Sequence, residues 1–324
     1  MRAAWYSKSG SARDVLVVGE LATPSPARGE VRVKLATSGV NPSDVKSRRR
    51  PLLYERVVPH SDGAGIIDAV GEGVSSERIG QRVWIWNGQW QRPMGTAAEY
   101  IVVPEPQAVP LPEKTNFAAG ACLGIPALTA FQAVRLLGDI SGKIVLVTGA
   151  ASAVGHYVTQ LAVLGGARVI GTVGSEERAA HAKAAGAFAT INYKQEPVAE
   201  RLRQLTGSQK VDAIVDMDFS STVRLIADGV LVPHGTVVSY GSNSVEDHPV
   251  PFRTLLFSSI SLRFFLVYDL TPTERRLAVD RLNALLADGR LSHTIGGRFS
   301  LDQIAAAHEA VEGGKVIGNV VLEL

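Results

Sequence analysis

Two different patterns of hydrophobic and polar positions follow one another along the chain. Over about the first 120 residues, apolar and polar residues alternate, as in Val31-Arg32-Val33-Lys34-Leu35, and glycine and proline recur between short segments. Alternation with a period of two predicts half-buried strands, and the frequent breaks predict turns. Residues 63–70, which are mostly small or β-branched, predict another strand. We therefore expect a small, mostly β domain in the N-terminal third.

From residue 143 the pattern changes to apolar strands that alternate with helices. The run Ile144-Val145-Leu146-Val147 leads through a turn of small residues into a helical stretch that reaches Gly165. A second apolar strand and a helix at residues 176–185 follow, which predicts a βαβ unit and, with its continuation, a parallel doubly wound sheet. The predicted strands lie at residues 144–147, 167–171, 211–215 and 236–240.

The final third predicts one long helix at residues 273–288, a shorter helix at residues 308–312 and a closing strand at residues 316–324. Residues 255–268 are the most apolar segment, but three serines and Arg263 interrupt them. No apolar run approaches the roughly 18 residues that a membrane span requires. We expect a buried strand or an interface in this segment and no membrane partner.

Composition and charge narrow the class of protein. The chain has 324 residues, 46% of them hydrophobic, and its 33 Lys and Arg residues nearly balance 31 Asp and Glu residues. These values are typical of a globular protein of about two domains and give no sign of a nucleic-acid partner. Arg48, Arg49 and Arg50 form the one basic run, which we expect to be a solvated loop. A single cysteine, Cys122, and the lack of a signal-peptide pattern predict a cytoplasmic protein.

The motif that carries chemistry is a strand that enters a tight turn of small residues and then a helix, over residues 145–155. Small residues let the backbone approach a pyrophosphate at the helix N-terminus, where free N–H groups and the helix dipole favour negative charge. Of the GxGxxG dinucleotide fingerprint only the last glycine is present. A tight turn without a ligand is the alternative to a pyrophosphate site built from Ser152, Ala153, Val154 and Gly155.

The end of the second strand of this unit indicates the cofactor. NAD sites place an acid there to accept from the ribose hydroxyl, whereas a 2′-phosphate requires basic or hydroxyl donors. Residues 171–175 contain no acid, and Arg178 follows one turn later. Glu176 and Glu177 fall in the first helical turn, where acids are common because they complement the helix dipole. NADPH is therefore predicted in preference to NADH.

Motifs in order along nearly the whole chain carry a family resemblance. They are SGVNPSD (38–44), SDGAG (61–65), VGEGV (70–74), GQRV (80–83), GTAAEY (95–100), VLVTGAASAVGHYVTQLA (145–162), GARVIGTVGSEER (166–178), AAGA (184–187), INY (191–193) and GKVIGNVVL (314–322). Together they resemble the zinc-independent, zeta-crystallin-like quinone oxidoreductase branch of the medium-chain dehydrogenase/reductase superfamily.

The resemblance implies an α/β protein of two domains. A GroES-like, mostly β catalytic domain would comprise residues 1–122 and 266–324. It would wrap around a Rossmann domain with a doubly wound parallel sheet, residues 123–265, with the nicotinamide of NADPH in the cleft between them. A homodimer or homotetramer is implied as well.

The resemblance also implies the site residues. Asn41 and Thr129 would lie near the nicotinamide as catalytic positions, and Ser175, Arg178 and Tyr193 would hold the 2′-phosphate. From the residues alone, Asn41 could orient the acceptor carbonyl or the nicotinamide ribose, or it could merely cap the following turn. The remaining implied cofactor positions are Gly174, Gly241, Ser242, Phe265, Leu266, Val267 and Asn319.

The sequence predicts no metal site. Zinc-dependent relatives carry Cys and His ligands where this chain has Asn41 and Ser61, and they hold a structural zinc with four cysteines, so one cysteine can build neither site. His60 and Asp62 form an H-x-D pair, which we expect to be hydrogen-bonding residues because no third ligand accompanies them. Cys122 is expected to be a small core residue.

Hydride addition to an electron-poor acceptor needs alignment more than a Lewis acid, which favours a quinone or a similar carbonyl acceptor. An apolar wall for an aromatic acceptor could be formed by Tyr54, Trp84, Trp86 and Trp90, although at least half of these should be plain core.

Two other functions remain open. An enone or 2-enoyl-thioester reductase is one alternative, and a non-catalytic NADPH-binding sensor or RNA-associated protein is the other. A short-chain dehydrogenase is excluded, because none of the seven tyrosines has Lys four residues later.

Overall fold

The computed structural model describes residues 1–324, which form two structural units. Unit 1 comprises Met1–Pro126 and Val279–Leu324, and unit 2 comprises Ala127–Ala278. Both boundaries lie further along the chain than the expected positions after residues 122 and 265. A continuous helix, Pro272–Ala287, runs across the second boundary.

Strands and helices follow one another along the whole chain. The strands are β1 (Arg2–Trp5), β2 (Val17–Glu20), β3 (Glu30–Val40), β4 (Asp62–Val70), β5 (Arg82–Ile85), β6 (Tyr100–Pro104), β7 (Ala108–Pro110), β8 (Ile144–Val147), β9 (Arg168–Val173), β10 (Ala189–Asn192), β11 (Val211–Asp216), β12 (Leu231–Ser239), β13 (Ser261–Phe264), β14 (Ile295–Ser300) and β15 (Asn319–Glu323). The α-helices are α1 (Ala12–Val15), α2 (Pro42–Arg48), α3 (Phe117–Gly120), α4 (Leu128–Leu137), α5 (Ala153–Leu164), α6 (Glu176–Ala184), α7 (Val198–Thr206), α8 (Phe219–Ala227), α9 (Phe252–Phe257), α10 (Pro272–Ala287) and α11 (Ile304–Glu312). None of these helices has the length and apolar character needed to cross a bilayer.

Unit 1 is built on β3, whose alternating side chains the sequence predicts. Val31, Val33 and Leu35 point into one core with Ile67 of β4 and Ile101 of β6, because alternate residues of a strand face the same side. The sheet has the order β14-β15-β3-β4-β5-β7, with β6 also paired to β3. The C-terminal strands thus complete a sheet that the N-terminal third begins.

Unit 2 contains one parallel sheet of order β10-β9-β8-β11-β12-β13. Numbered within the unit, this is the order 3-2-1-4-5-6 of a dinucleotide-binding fold, and the doubly wound prediction is confirmed. All four residues of β8 are buried, as both faces of a parallel sheet are covered. The strand order reverses between β8 and β11, and ligands of such sheets bind outside the carboxyl ends at that point.

One sequence-based expectation is wrong. Arg48 is not part of a solvated loop: its side chain is fully buried, because Gly10 and residues of α11 surround it. Of the two alternatives for residues 255–268, a buried strand or an interface, the structure excludes the buried strand, and the interface stays a prediction. These residues contribute the end of α9 and the edge strand β13, and Phe257 and Phe264 are 75% and 60% exposed.

Candidate active site

The turn after β8 presents a helix N-terminus at the carboxyl edge of the parallel sheet. Ser152 caps α5, and its hydroxyl accepts a hydrogen bond from the N–H of Gly155 at 3.0 Å. Ala153 and Val154, the first two residues of α5, are half-buried, and their N–H groups have no acceptor within the helix. The amides that can meet a pyrophosphate are therefore those of Ala153 and Val154, because the Gly155 N–H is already used.

Glycines shape this turn. A Cβ atom on Gly155 would lie 2.2 Å from the carbonyl oxygen of Gly149, so only glycine allows α5 to begin so close to the strand. Gly149 itself has φ +62°, and its N–H donates to the hydroxyl of Thr172 at 3.0 Å. Gly149 thus makes the left-handed turn that follows β8.

The ends of β9 and β10 bring the predicted 2′-phosphate residues together. The Ser175 hydroxyl caps α6 and accepts from the N–H of Arg178 at 3.3 Å. A Cβ atom on Gly174 would lie 3.0 Å from the Tyr193 hydroxyl and 3.2 Å from Cε of Lys194. The sequence reasoning missed Lys194; its position next to Tyr193 was the available signal.

A buried carboxyl group, also missed, joins three strand ends. The Asp216 carboxylate accepts from the Thr148 hydroxyl at 3.1 Å, the Ser239 hydroxyl at 2.8 Å and the N–H of Asp218 at 2.9 Å. Burial raises the pKa of Asp216. These bonds tie the carboxyl ends of β8, β11 and β12, and the signal was an acid directly after the predicted strand at residues 211–215.

The predicted loops after β12 and β13 lie next to each other. The rings of Tyr240 and Phe265 are 6.4 Å apart, and burial raises the pKa of Tyr240, which also hydrogen-bonds with Ser152. Val267 is buried, and its carbonyl accepts from Arg275 at 2.7 Å.

The other predicted loop positions differ in exposure. The Gly241 carbonyl accepts from the N–H of Phe219 at 3.0 Å, and the Ser242 hydroxyl accepts from the N–H of Ser244 at 3.2 Å. Leu266 is half exposed.

Thr129, near the start of α4, offers a hydroxyl without a partner. Its side chain is 4% exposed, and its oxygen makes no hydrogen bond. Buried polar atoms are almost always hydrogen-bonded, so this oxygen is a candidate to receive a ligand group.

In unit 1, two acids hold Asn41. Its N–H donates to Asp44 at 2.7 Å, and its Nδ2 donates to Asp62 Oδ2 at 2.9 Å. Burial raises the pKa of Asp44 to about 7, and burial with the neighbouring Asp44 raises the pKa of Asp62 well above its usual range. Asn41 therefore caps α2, as one of the two alternatives expected; the orienting role is a separate proposal.

Asn319 lies at the same end of the sheet as Asn41. Val320 pairs with Val40, and one further step of this antiparallel register places Asn319 opposite Asn41. The Asn319 amide donates to the carbonyl of Thr294 at 3.1 Å and is 6% exposed, so its amide N–H is engaged within unit 1.

The H-x-D pair makes hydrogen bonds within the protein. His60 contacts Ser38 and His308, and Asp62 Oδ2 accepts from the N–H of Ile125 at 3.0 Å. No three His, Cys, Asp or Glu side chains lie together in a way that could hold a metal ion. Cys122 is buried and donates to the carbonyl of Ala118 at 3.2 Å, as a small core residue would.

The four aromatic residues do not form one wall. Trp84 is fully buried, and its indole N–H donates to Asn283 at 3.1 Å, which places it in the core. Trp86 donates to the carbonyl of Pro106 at 3.2 Å, and Trp90 is 37% exposed. Tyr54 borders a surface cavity of about 490 Å³.

Comparisons with known proteins give the chain its relatives. Residues 27–113 match the alcohol dehydrogenase GroES-like domain, and residues 153–284 match the zinc-binding dehydrogenase family. The chain is 30% identical over its whole length to the quinone oxidoreductase of Homo sapiens, 98% of which is covered.

Solved structures of similar proteins have the same fold over the whole chain. A structure of an NAD-dependent alcohol dehydrogenase has a TM-score of 0.90 at 30% identity, with both chains fully covered. The Escherichia coli quinone oxidoreductase complexed with NADPH has a TM-score of 0.88 at 27% identity, again with both chains fully covered.

Proposed function

The chain belongs to the zeta-crystallin-like quinone oxidoreductase branch of the medium-chain dehydrogenase/reductase superfamily, and on this basis we propose that it transfers a hydride from NADPH to a quinone without zinc. The observation that carries the proposal is the group of donors around Gly174. Hydroxyls of Ser175 and Tyr193 and the cations Arg178 and Lys194 lie at or beside the ends of β9 and β10.

The residues present fit NADPH. A 2′-phosphate carries nearly two negative charges near pH 7 and takes charge-assisted bonds from guanidinium, ammonium and hydroxyl donors, which this cluster supplies. The half-buried amides of Ala153 and Val154 suit the pyrophosphate. The partnerless hydroxyl of Thr129 suits a carboxamide, which both donates and accepts.

Bound NADPH would supply the hydride. The protein's own part is then to orient the nicotinamide and the acceptor. A quinone oxygen that gains negative charge can be protonated by solvent. Asp62 fixes the amide of Asn41 in one orientation, and we assign that amide to the ribose or the acceptor carbonyl. No charged acid is required next to the acceptor.

The donor set also supports a zinc-free reaction. An amide and a hydroxyl, Asn41 and Ser61, stand where zinc-dependent relatives carry thiolate and imidazole, and both are poor ligands for zinc. Ser61 is 1% exposed.

A panel of acceptors tests the function. Oxidation of NADPH should be fast with simple quinones and slower with enones and 2-enoyl thioesters. Faster turnover of an enone or a thioester would favour the enone or 2-enoyl-thioester reductase instead. Binding of NADPH without turnover of any acceptor would favour the non-catalytic alternative.

We also propose that two copies pair through β13. This strand hydrogen-bonds only to β12, and Phe264 within it and Leu266 just after it are 60% and 50% exposed. An identical edge is self-complementary about a two-fold axis, and such pairing removes an aggregation-prone strand from solvent. Light scattering should give twice the chain mass, and Phe264→Asp should give the single chain mass.

The cytoplasmic location stays a prediction.

A further inference from the structure

A continuous chain of buried hydrogen bonds crosses unit 1 from its C-terminal helix to the residue that holds Asn41. The contacts are Arg48 Nη1 to His308 Nδ1 at 2.8 Å, His308 Nε2 to His60 Nε2 at 2.9 Å, His60 Nδ1 to Ser38 Oγ at 2.8 Å, Ser38 Oγ to Thr96 Oγ1 at 2.8 Å, and Thr96 Oγ1 to the carbonyl oxygen of Asp62 at 2.6 Å. All six residues are fully buried.

The two ends fix the direction of every bond. A guanidinium group only donates and a carbonyl oxygen only accepts, so each group between them must accept from the Arg48 side and donate towards Asp62. His308 then carries its hydrogen on Nε2, and His60 carries its hydrogen on Nδ1. Both rings are neutral, in agreement with burial, which lowers the pKa of His308 to about 3 and that of His60 well below its usual value.

This series of hydrogen bonds stabilises a strained residue. His60 has φ +78°, a left-handed conformation that costs energy in any residue other than glycine. Its ring is fixed on both nitrogens, and its carbonyl accepts from the N–H of Thr96 at 2.9 Å. Two residues later Asp62 enters β4, so the conformation of His60 determines where the Asp62 carboxyl group lies.

Asp62 passes this order on to Asn41. Its Oδ2 accepts from Asn41 Nδ2 at 2.9 Å and from the N–H of Ile125 at 3.0 Å. At the other end of the series of hydrogen bonds, Arg48 and Arg49 both contact the carboxylate of Glu312 in α11. The C-terminal helix is thereby connected through bonds of fixed direction to the amide of Asn41.

We propose that His308 is a positioning residue for Asn41, acting through His60, Ser38, Thr96 and Asp62. The inference rests on the proposed role of Asn41 in the reaction. Loss of the His308 donor leaves the buried Nε2 of His60 without a partner and lets the strained segment relax, so the Asn41 amide moves away from its reactive position.

Nitrogen NMR of the histidine rings tests the direction of these hydrogen bonds. We expect Nδ1–H on His60 and Nε2–H on His308 at neutral pH, with both rings neutral. The opposite tautomer on either ring, or a charged ring, would overturn the proposed direction of the bonds and with it the inference.

Kinetics test the positioning role. His308→Leu removes the donor to His60, and we expect kcat to fall by about 10-fold or more while the dissociation constant of NADPH stays unchanged, because small displacements of a positioned group reduce the rate of the chemical step. His308→Gln keeps a donor near the Nε2 position and should restore most of kcat. Ser38→Ala interrupts the same chain at another point and should lower kcat like His308→Leu, which keeps the test informative if the leucine variant does not fold.

Ile304→Ala is the matched control, because Ile304 is a buried residue of α11 that takes no part in the series of hydrogen bonds. It should lower the melting temperature with little change in kcat. An equal loss of kcat in Ile304→Ala and His308→Leu would reduce His308 to a structural role. If Asn41→Ala keeps the wild-type kcat, the assigned role of Asn41 fails, and if the wild-type protein reduces no quinone, the proposed function fails instead.

Discussion

The Cα atom of Gly155 packs against the carbonyl oxygen of Gly149, so closely that a Cβ atom at position 155 would lie 2.2 Å from that oxygen. This contact lets α5 start directly above the end of β8. The two amides at the start of α5 therefore lie at the point where the strand order reverses, where we propose that they bind a phosphate of the cofactor.

Gly155→Val should raise the dissociation constant of NADPH on the order of 100-fold. The valine would displace the start of α5, and the phosphate would lose bonds to two amides worth about 1.5 kcal/mol each. Ser152→Gly is the control, because glycine replaces a cap at a cost of only a few tenths of a kcal/mol. Calorimetric titration of folded variants gives the result, and unchanged affinity in a folded Gly155→Val protein would place the cofactor on another turn.

Arg178→Ala should weaken NADPH by about 10-fold or more and leave NADH almost unaffected, because a charge-assisted bond to a phosphate contributes roughly 1.5–3 kcal/mol. Lys194→Ala should act in the same direction. Lys183→Ala, an exposed cation on the same helix as Arg178, should change neither affinity. Equal losses of NADPH and NADH affinity in Arg178→Ala would rule out a 2′-phosphate contact.

Asp62→Asn should fold with nearly wild-type stability at pH 7, whereas Asp62→Ala should be clearly destabilised. Burial and the nearby Asp44 raise the pKa of Asp62, which favours the neutral carboxyl group, and an amide oxygen can accept the same bonds from Asn41 and Ile125. Alanine leaves both N–H donors buried and unpaired, at about 1–3 kcal/mol each. Similar unfolding free energies for the two variants would contradict this prediction.

His308 should make the protein less stable in acid. Its pKa is lowered from 6.5 to about 3 in the folded chain, so between these values only the unfolded chain takes up the proton, and stability falls as pH falls. The slope is about 1.4 kcal/mol per pH unit for this group.

Asp44 opposes this trend, since its raised pKa stabilises the folded chain as pH falls from about 7. The difference between wild type and His308→Gln isolates the histidine. Denaturant unfolding at pH 6.5 and pH 4.5 should show a smaller loss of stability in the variant by about 2 to 3 kcal/mol. A parallel loss in the two proteins would mean that His308 is not buried as a neutral ring.

Local patterns were enough to predict individual strands and helices. Alternation predicted β3, an apolar run predicted β8, and periodicity predicted α10 almost to its ends. These elements follow from which face is buried, and that information is local in the sequence.

Contacts between distant residues were not predictable in this way. Three adjacent arginines are typical of a solvated loop, yet Arg48 is buried because His308 and Glu312 lie more than 250 positions away in sequence but next to it in space. Lys194 and Asp216 each had a local signal, next to Tyr193 and directly after a predicted strand, but the residues that they contact come from the ends of other strands and were not predictable. Ser175 and Tyr193 were predicted through the family resemblance, whereas Arg178 was also indicated by its position one turn after a strand end that lacks an acid.

The most direct test of zinc-free, NADPH-dependent quinone reduction is the rate of NADPH oxidation by a quinone before and after exhaustive chelation, with the metal content of the same sample measured. We predict an unchanged rate with well under about one zinc per chain, because neither Asn41 nor Ser61 is a zinc ligand of useful strength. A rate that is lost on chelation and restored by added zinc would contradict the account.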